Sequence, residues 1–473
     1  MEQPTSSQPN RVVGVSRSSI IWVLLAGVFF GVGYAASPLT VWFLGSVSVL
    51  SAWGIRGLSV RERNLVLGIL TLAIVTRLLL IFSLFLATEP FEMASFFWDG
   101  DGVYYKQRAE WIRQVWLGNQ IAPLDYDRAF SQIYGWTSYL YVLAYLQYWF
   151  GEAPYAIHLF NVFLSLSVAV VLYRLIRAGY GKATALLGLL LLLFMPTPLL
   201  WSVSALKESL YVFLIMLAVV GTVLAVRGPT ITRRAVGVCA VIIAFATIDG
   251  VRVGGGLLLV VGIVGGLVGS VATRRLSVAV LVVALLPIAM YGALRTDAIY
   301  SRIKSQLEIA AVQHIGHVKT VGHSYKLLEE RFYVDAAREI AITAWTPSDQ
   351  ARYVIKAVAS LIAVPLPWQA RSTTEFLFLP LQIIWYLMVV FAVVGSVAGL
   401  RRDPFVTCML VATVAVGAVA IAIYNGNIGT MVRLRDTLVP FMVWLSAQGV
   451  IATGSAWRAS RWRSLVYLRT PAH

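Results

Sequence analysis

Apolar runs about as long as a bilayer is thick recur along most of the chain, separated by short polar turns. A helix needs about 20 mostly apolar residues to cross the hydrocarbon core, because each residue advances it by about 1.5 Å. Runs of this kind occupy residues 19–36, 38–54, 64–87, 154–173, 183–202, 206–226, 234–248, 256–273, 276–294, 376–399, 404–424 and 436–454. They predict an all-α, polytopic membrane protein with about 12 transmembrane helices. Two further apolar pieces are too short to count as spans. Tyr139–Phe150 is aromatic-rich and broken by Gln147, and Ala357–Trp368 ends in Pro-Leu-Pro-Trp. Such residues suit the headgroup level, so both pieces are predicted to be interfacial or re-entrant. No small-residue cleavage site follows the first run, which predicts an uncleaved span.

The polar positions orient these spans. With the N-terminus inside, the inner loops hold Arg56, Arg61 and Arg63; Arg174, Arg177 and Lys182; Arg227, Arg233 and Arg234; Arg274 and Arg275; and Arg401 and Arg402. Arg11 and Arg17 fall in one tail, and Arg458, Arg461, Arg463 and Arg469 in the other. Every basic cluster at a span end then lies on one side, which predicts two cytoplasmic termini. Counting Tyr139–Phe150 as a span would reverse the clusters from Arg174 to Arg275. The chain divides into a tail (1–18), two leading spans (19–63) and a transmembrane core (64–294) with a first outer loop (88–153). A large helical outer loop (295–375), closing spans (376–454) and a second tail (455–473) complete it. Loops longer than about 12–15 residues are uncommon unless functional, so two on one face suggest an extracytoplasmic site beneath them.

Composition agrees and narrows the class. Of 473 residues, 59% are hydrophobic and 13% charged, against about 45–50% and 25% in soluble domains. A cytoplasmic enzyme, a disordered chain and a secreted disulfide scaffold are excluded. Cys239 and Cys408 lie inside apolar runs and read as packing residues. The net charge of +16 is accounted for by the inner loops and tails, leaving an outer side close to neutral. It is a topology signal and gives no reason to expect nucleic acid.

Against that outer side, a few charges stand out. Asp99 and Asp101 lie among glycines and precede Tyr104 and Tyr105. A carboxylate beside an apolar slab loses water and gains basicity; a solvated turn or a helix N-cap is the alternative. Lys207 and Glu208 follow a short outer turn and read either as an interfacial ion pair or as a phosphate site. Arg252, Arg433 and Arg435 oppose the positive-inside pattern, and a guanidinium grips phosphate oxygens well, whether of a substrate or of ordinary lipid. Arg77 sits mid-span, where an arginine faces the bundle or a polar lumen. His314, His317 and His323 fall in the long loop, and the first two, three apart, would share a helix face where a metal could bind, but no carboxylate sits nearby at a strong ligand spacing, so no metal site is predicted. No nucleotide loop and no HExxH is present.

Trp98-Asp99-Gly100-Asp101-Gly102-Val103-Tyr104-Tyr105 after a span bearing a central arginine resembles the first-loop region of the GT-C superfamily of multi-spanning glycosyltransferases. The likeness is to the family 39 type and its bacterial lipid A and polysaccharide relatives, and Asp101-Gly102-x-Tyr104-Tyr105 also resembles the oligosaccharyltransferase first-loop motif. Phe150-Gly151-Glu152-Ala153-Pro154, Asn161, Pro196, Pro198, Lys207-Glu208 and Gly429–Arg435 followed by Pro440 extend it over most of 64–454. The family usually meets its catalytic loop right after the first span, whereas here two extra short spans (19–54) come first, and Asp99 and Asp101 compete for the family aspartate; the Gly-x-Tyr-Tyr match favours Asp101.

The resemblance implies an integral protein of a bacterial inner membrane that moves a sugar from a polyprenyl-phosphate donor to a lipid or glycan acceptor hydroxyl, with inversion. Asp101 or Asp99 would be the base. Lys207, Arg433, Arg435 and Arg252 would hold the donor phosphate, and Tyr104, Tyr105 and Glu208 would line the substrate pocket. A monophosphate donor implies no cofactor, whereas a pyrophosphate donor implies a divalent metal. Two other classes compete: a polysaccharide polymerase or ligase resting on the outer arginines, and a lipid or solute transporter, which would favour midplane charges and repeated halves.

Overall fold

A computed structural model describes residues 27, 28, 31, 37–89, 92–94, 101–130, 138–319, 324–333, 342, 345–369 and 373–467 of the chain. Among the described residues the fold is all-helical apart from one isolated bridge between Ser324 and Asn427. The leading elements are α1 (Pro38–Ile55), α2 (Val60–Ala87), α3 (Asp101–Trp116), α4 (Pro123–Phe130), α5 (Ser138–Phe150), α6 (Ala156–Gly179), α7 (Lys182–Phe194), α8 (Pro196–Ser202) and α9 (Glu208–Arg227). There follow α10 (Ile231–Val251), α11 (Gly255–Ala272), α12 (Leu276–Arg295), α13 (Asp297–Val318), α14 (Pro347–Ala363), α15 (Thr373–Arg402), α16 (Pro404–Tyr424), α17 (Ile428–Arg435) and α18 (Val439–Tyr467).

Among the described residues, nine helices are long and apolar enough to cross a membrane, and α7 with α8 makes a tenth if the bent pair is one span. The protein is a polytopic helical membrane protein. Most of the predicted span 19–36 lies outside the described residues, and 276–294 falls within α12. The predicted single span 183–202 is broken at Met195, where α7 and α8 meet at 63°. Proline explains the break: Pro196 and Pro198 have no N–H to continue the ladder.

Arg77 repairs part of that break. Its Nη2 donates to Leu193 O (3.1 Å), Nη1 to Ala73 O (3.2 Å) and Nε to Ser202 Oγ (2.8 Å). Backbone groups freed by a kink in lipid must find partners, and here a buried guanidinium supplies donors. This mid-span arginine thus faces the bundle and staples it.

The basic turns predicted to share one side do meet. Arg177 pairs with Glu62 at 2.7 Å, Arg174 donates to Arg56 O at 2.7 Å, and Arg227 pairs with Asp403 at 2.7 Å. Small residues let spans approach closely nearby. At Gly395 and Gly449 an added methyl would overlap Leu445 O and Phe391 O, so α15 and α18 cross almost backbone to backbone. Trp444, fully buried, fills the space left by Gly188 on α7.

Neither short apolar piece is among the helices long and apolar enough to cross a membrane. α5 has 13 residues, about 20 Å of helix. α14 starts with a Thr346–Asp349 capping box and buries one face through Gln350, Tyr353, Ala357 and Leu361. Its last carbonyls are met by side chains of α15: Gln382 donates to Ala363 O, Trp385 to Ile362 O and Tyr386 to Ala363 O.

Candidate functional site

The end of the bundle opposite the basic turns gathers four segments: the start of α3, the turn before α9, the end of α10 and the short α17. α6 and α9 both run from this end to the basic one.

The turn at 203–207 carries Lys207 and leads into Glu208, the first residue of α9, and its backbone is held by side chains. His158 Nδ1 lies 2.7 Å from Val203 O, and Asn161 Nδ2 donates to Ser204 O and Leu206 O at 2.8 Å each. Tyr139 OH donates to Ala205 O at 3.2 Å. Four consecutive carbonyls buried among apolar helices are thereby satisfied. α3 begins against this turn. A methyl on Gly102 would overlap Ala94 O and approach Ala205 Cβ to 3.3 Å, so glycine lets Asp101 reach the site.

Arg433, on α17, is the centre. Its Nη1 pairs with Asp101 Oδ2 at 2.7 Å, while Nε and Nη2 both reach Glu208 Oε1, at 2.9 and 2.8 Å. Arg252, at the C-cap of α10, places Nη2 3.7 Å from the same Glu208 oxygen and stacks on Tyr211 at 4.9 Å. Glu208 Oε2 is buried with no hydrogen-bond partner among the described residues. Lys207 Nζ lies 5.8 Å from the centre of the Tyr105 ring. Tyr105 is buried and packs edge-on against Tyr104 and Tyr139; Arg108 covers the Tyr104 ring at 3.2 Å.

Burial sets the electrostatics. It works against the Arg433 charge, but Glu208 and Asp101 more than offset it and raise its pKa above the ordinary arginine value. Burial, reinforced by Arg252, pushes the Lys207 ammonium down to about 8. Burial also raises Asp436 to about 7, although Trp201 Nε1 and Thr197 Oγ1 (2.9 Å) donate to its carboxyl. Asp436 thus ties the end of α17 to α8.

Beside this cluster lies a cavity of about 560 Å³ between α9, α11, α13 and α16, within the range of about 300–1,000 Å³ usual for ligand sites. Arg252, Tyr211 and Tyr424 line its cluster end, and Val219, Gly262 and Thr413 its deep end. From Tyr211 to Val219 it follows α9 for about 12 Å, into the apolar part of the bundle.

Of the expected site residues, Asp101, Glu208, Arg433 and Arg252 are joined by direct ion-pair contacts, with Lys207 and Tyr105 beside them. Asp99 lies outside the described residues, as does His323. Arg435 does not join the cluster. Buried, it donates to Leu361 O (3.3 Å), Val364 O (3.2 Å) and Gln382 Oε1 (3.1 Å), and it stacks on Trp385 at 4.5 Å. The reason is helical geometry: two residues apart on α17 means about 200° around the axis, so Arg433 and Arg435 face opposite ways. His314 and His317 serve the backbone of the last turn, with Nδ1 atoms 2.7 Å from Asn425 O and 3.0 Å from Tyr424 O. Among the described residues no three His, Cys, Asp or Glu side chains are grouped to hold a metal ion.

Asn161 had a place in the motif order, but its work under the 203–207 turn was not foreseen, nor was the use of Asp436. The available signal was a polar residue within or beside an apolar span. Compared with known protein families, curated proteins and solved structures, the chain matches none.

Proposed function

We propose that this protein is an inverting glycosyltransferase of the GT-C kind, working at the extracytoplasmic face of a bacterial inner membrane with both termini in the cytoplasm. Its donor is a sugar on a polyprenyl phosphate, and its acceptor is a lipid or glycan hydroxyl. One observation carries the reading: a carboxylate and two arginines in contact through Glu208 adjoin a deep apolar cavity, and Arg252 belongs to both. A lipid phosphate has a matching division, with an anionic head and a hydrocarbon chain.

The chemistry is one substitution. Asp101 takes the proton of the acceptor hydroxyl as its oxygen bonds to the anomeric carbon from the face opposite the phosphate. The bond from that carbon to the phosphate oxygen breaks, and polyprenyl phosphate leaves with the electron pair. Arg433, Arg252 and Lys207 stabilise the growing charge on that oxygen. With Lys207 protonated, Asp101, Glu208, Arg433, Arg252 and Lys207 sum to one positive charge, the complement of one phosphodiester. A polymerase or ligase using a lipid pyrophosphate would carry more charge and call for a divalent metal.

The test is transfer of radiolabelled sugar from polyprenyl phosphate in membranes holding the wild type or Asp101→Asn. Loss of transfer in a variant that still folds and inserts supports the assignment. Transfer at the wild-type rate removes Asp101 as the base. Absence of transfer together with substrate uptake into vesicles replaces the enzyme with a transporter.

A further inference from the structure

Arg433 is already occupied on both sides. All three of its nitrogens are bonded to carboxylate oxygens, one to Asp101 and two to Glu208. A carboxylate oxygen held at 2.7 Å by a guanidinium is already engaged and not free to meet an acceptor hydroxyl. A guanidinium shared by two carboxylates is likewise a poor anion receptor, since an incoming phosphate meets like charge. Glycosyl transfer at this site needs both groups, so the pair must open.

The two carboxylates are not equally able to leave. The Glu208 side chain is 6% exposed and engages two Arg433 nitrogens, with Arg252 close to the same oxygen. The Asp101 side chain is 39% exposed and holds a single nitrogen. Released Asp101 regains water, whereas released Glu208 would be a buried charge stripped of its partner. Asp101 also stands at the first residue of α3, where the helix N-terminus supports its charge without Arg433.

We infer that the donor phosphate and Asp101 exchange on Arg433, with Glu208 as the fixed anchor, so that donor binding frees the base. The inference rests on the glycosyltransfer reading of this site. The phosphate takes the Nη1 side of Arg433, and the displaced Asp101 carboxylate has its Oδ2 free to take the acceptor proton. Donor therefore binds before the acceptor is activated. Glu208 is a positioning residue in this scheme, acting through Arg433.

The exchange predicts an affinity change of unusual sign. Asp101→Asn abolishes transfer, yet it tightens binding of the phosphate head, because the competing charge is gone. Loss of one charge-assisted contact in competition corresponds to about tenfold in Kd. The measurement is binding of farnesyl phosphate, with farnesol and inorganic phosphate alongside, to purified full-length wild type and Asp101→Asn in detergent. The expected result is a Kd for farnesyl phosphate about tenfold lower in the variant, with farnesol unchanged. Equal or weaker binding of farnesyl phosphate overturns the exchange. Weaker binding of farnesol as well would report a damaged fold, and Asp101→Ser then repeats the measurement with a smaller neutral side chain; equal or weaker farnesyl phosphate binding there overturns the exchange too. A gain seen equally with inorganic phosphate assigns the exchange to the head group alone. Tighter binding in Asp101→Asn, with no sugar transfer by the wild type either, would leave the exchange standing and remove the enzymatic reading, so the two fail separately.

Discussion

Replacing Glu208 with Gln removes the charge against which Arg433 is held. The two nitrogens concerned lie at 2.9 and 2.8 Å from one carboxylate oxygen, and Arg252 lies at 3.7 Å. Two unit charges about 4 Å apart attract by about 4 kcal/mol at an effective dielectric of about 20. Glutamine keeps the shape and one acceptor, and it spares the cost of burying a carboxylate, so part of that attraction is recovered. Breaking a buried pair by removing one partner costs about 3–5 kcal/mol where the remaining charge is left without compensation; Asp101 still pairs with Arg433 at 2.7 Å, so the low end of that range applies. The variant should therefore unfold several degrees lower in a thermal scan of the detergent-solubilised protein. Displacement of Arg433 should also slow sugar transfer, and a loss of about 3 kcal/mol in transition-state stabilisation is on the order of 100-fold. Glu208→Asp, which keeps the charge, should recover part of both. An unfolding temperature and transfer rate within error of wild type would refute the view that Glu208 anchors Arg433.

Asn161→Leu should strip the Ser204 and Leu206 carbonyls of their donor; at about 1–3 kcal/mol for each buried group left unsatisfied, lower expression and loss of transfer are expected, measured in membranes. Lys207 is held down near 8 by burial, so farnesyl phosphate binding should weaken as pH rises through about 8, where the ammonium loses its proton. A pH titration of Kd checks this, and Lys207→Met should abolish that step. Gly262→Leu places a side chain in the apolar cavity, where a first methyl meets only Thr413, at 3.7 Å. Transfer from a long-chain polyprenyl donor should fall several-fold while a donor truncated to a few carbons is unaffected; equal loss for both would separate the cavity from the chain.

The membrane character of the chain was legible because it depends on length and apolarity alone, which each segment carries in itself. The basic turns were legible for the same reason, and Arg177–Glu62 and Arg227–Asp403 place them together. The bend at Met195 was present in Pro196 and Pro198, but a hydropathy reading runs through proline and joins the two halves. Arg77 illustrates what such a reading omits: its partners, Leu193 O and Ser202 Oγ, exist only because the neighbouring span breaks. The candidate site was legible as a list of charges and not as an arrangement. Asp101 and Arg433 stand 332 positions apart, and nothing local to either records that they pair. Arg435 was misplaced because residues 425–436 read as a turn; as a helix, the same spacing separates it from Arg433 by about 200°.

The central claim is that Asp101 is the base of a sugar transfer fed by a lipid phosphate. The most direct measurement is transfer by purified protein from a polyprenyl-phosphate sugar to an acceptor, with the anomeric configuration of the product determined, in wild type and Asp101→Asn. The account predicts an inverted product from the wild type and none from a folded variant. A retained configuration, or undiminished transfer by Asp101→Asn, would contradict it.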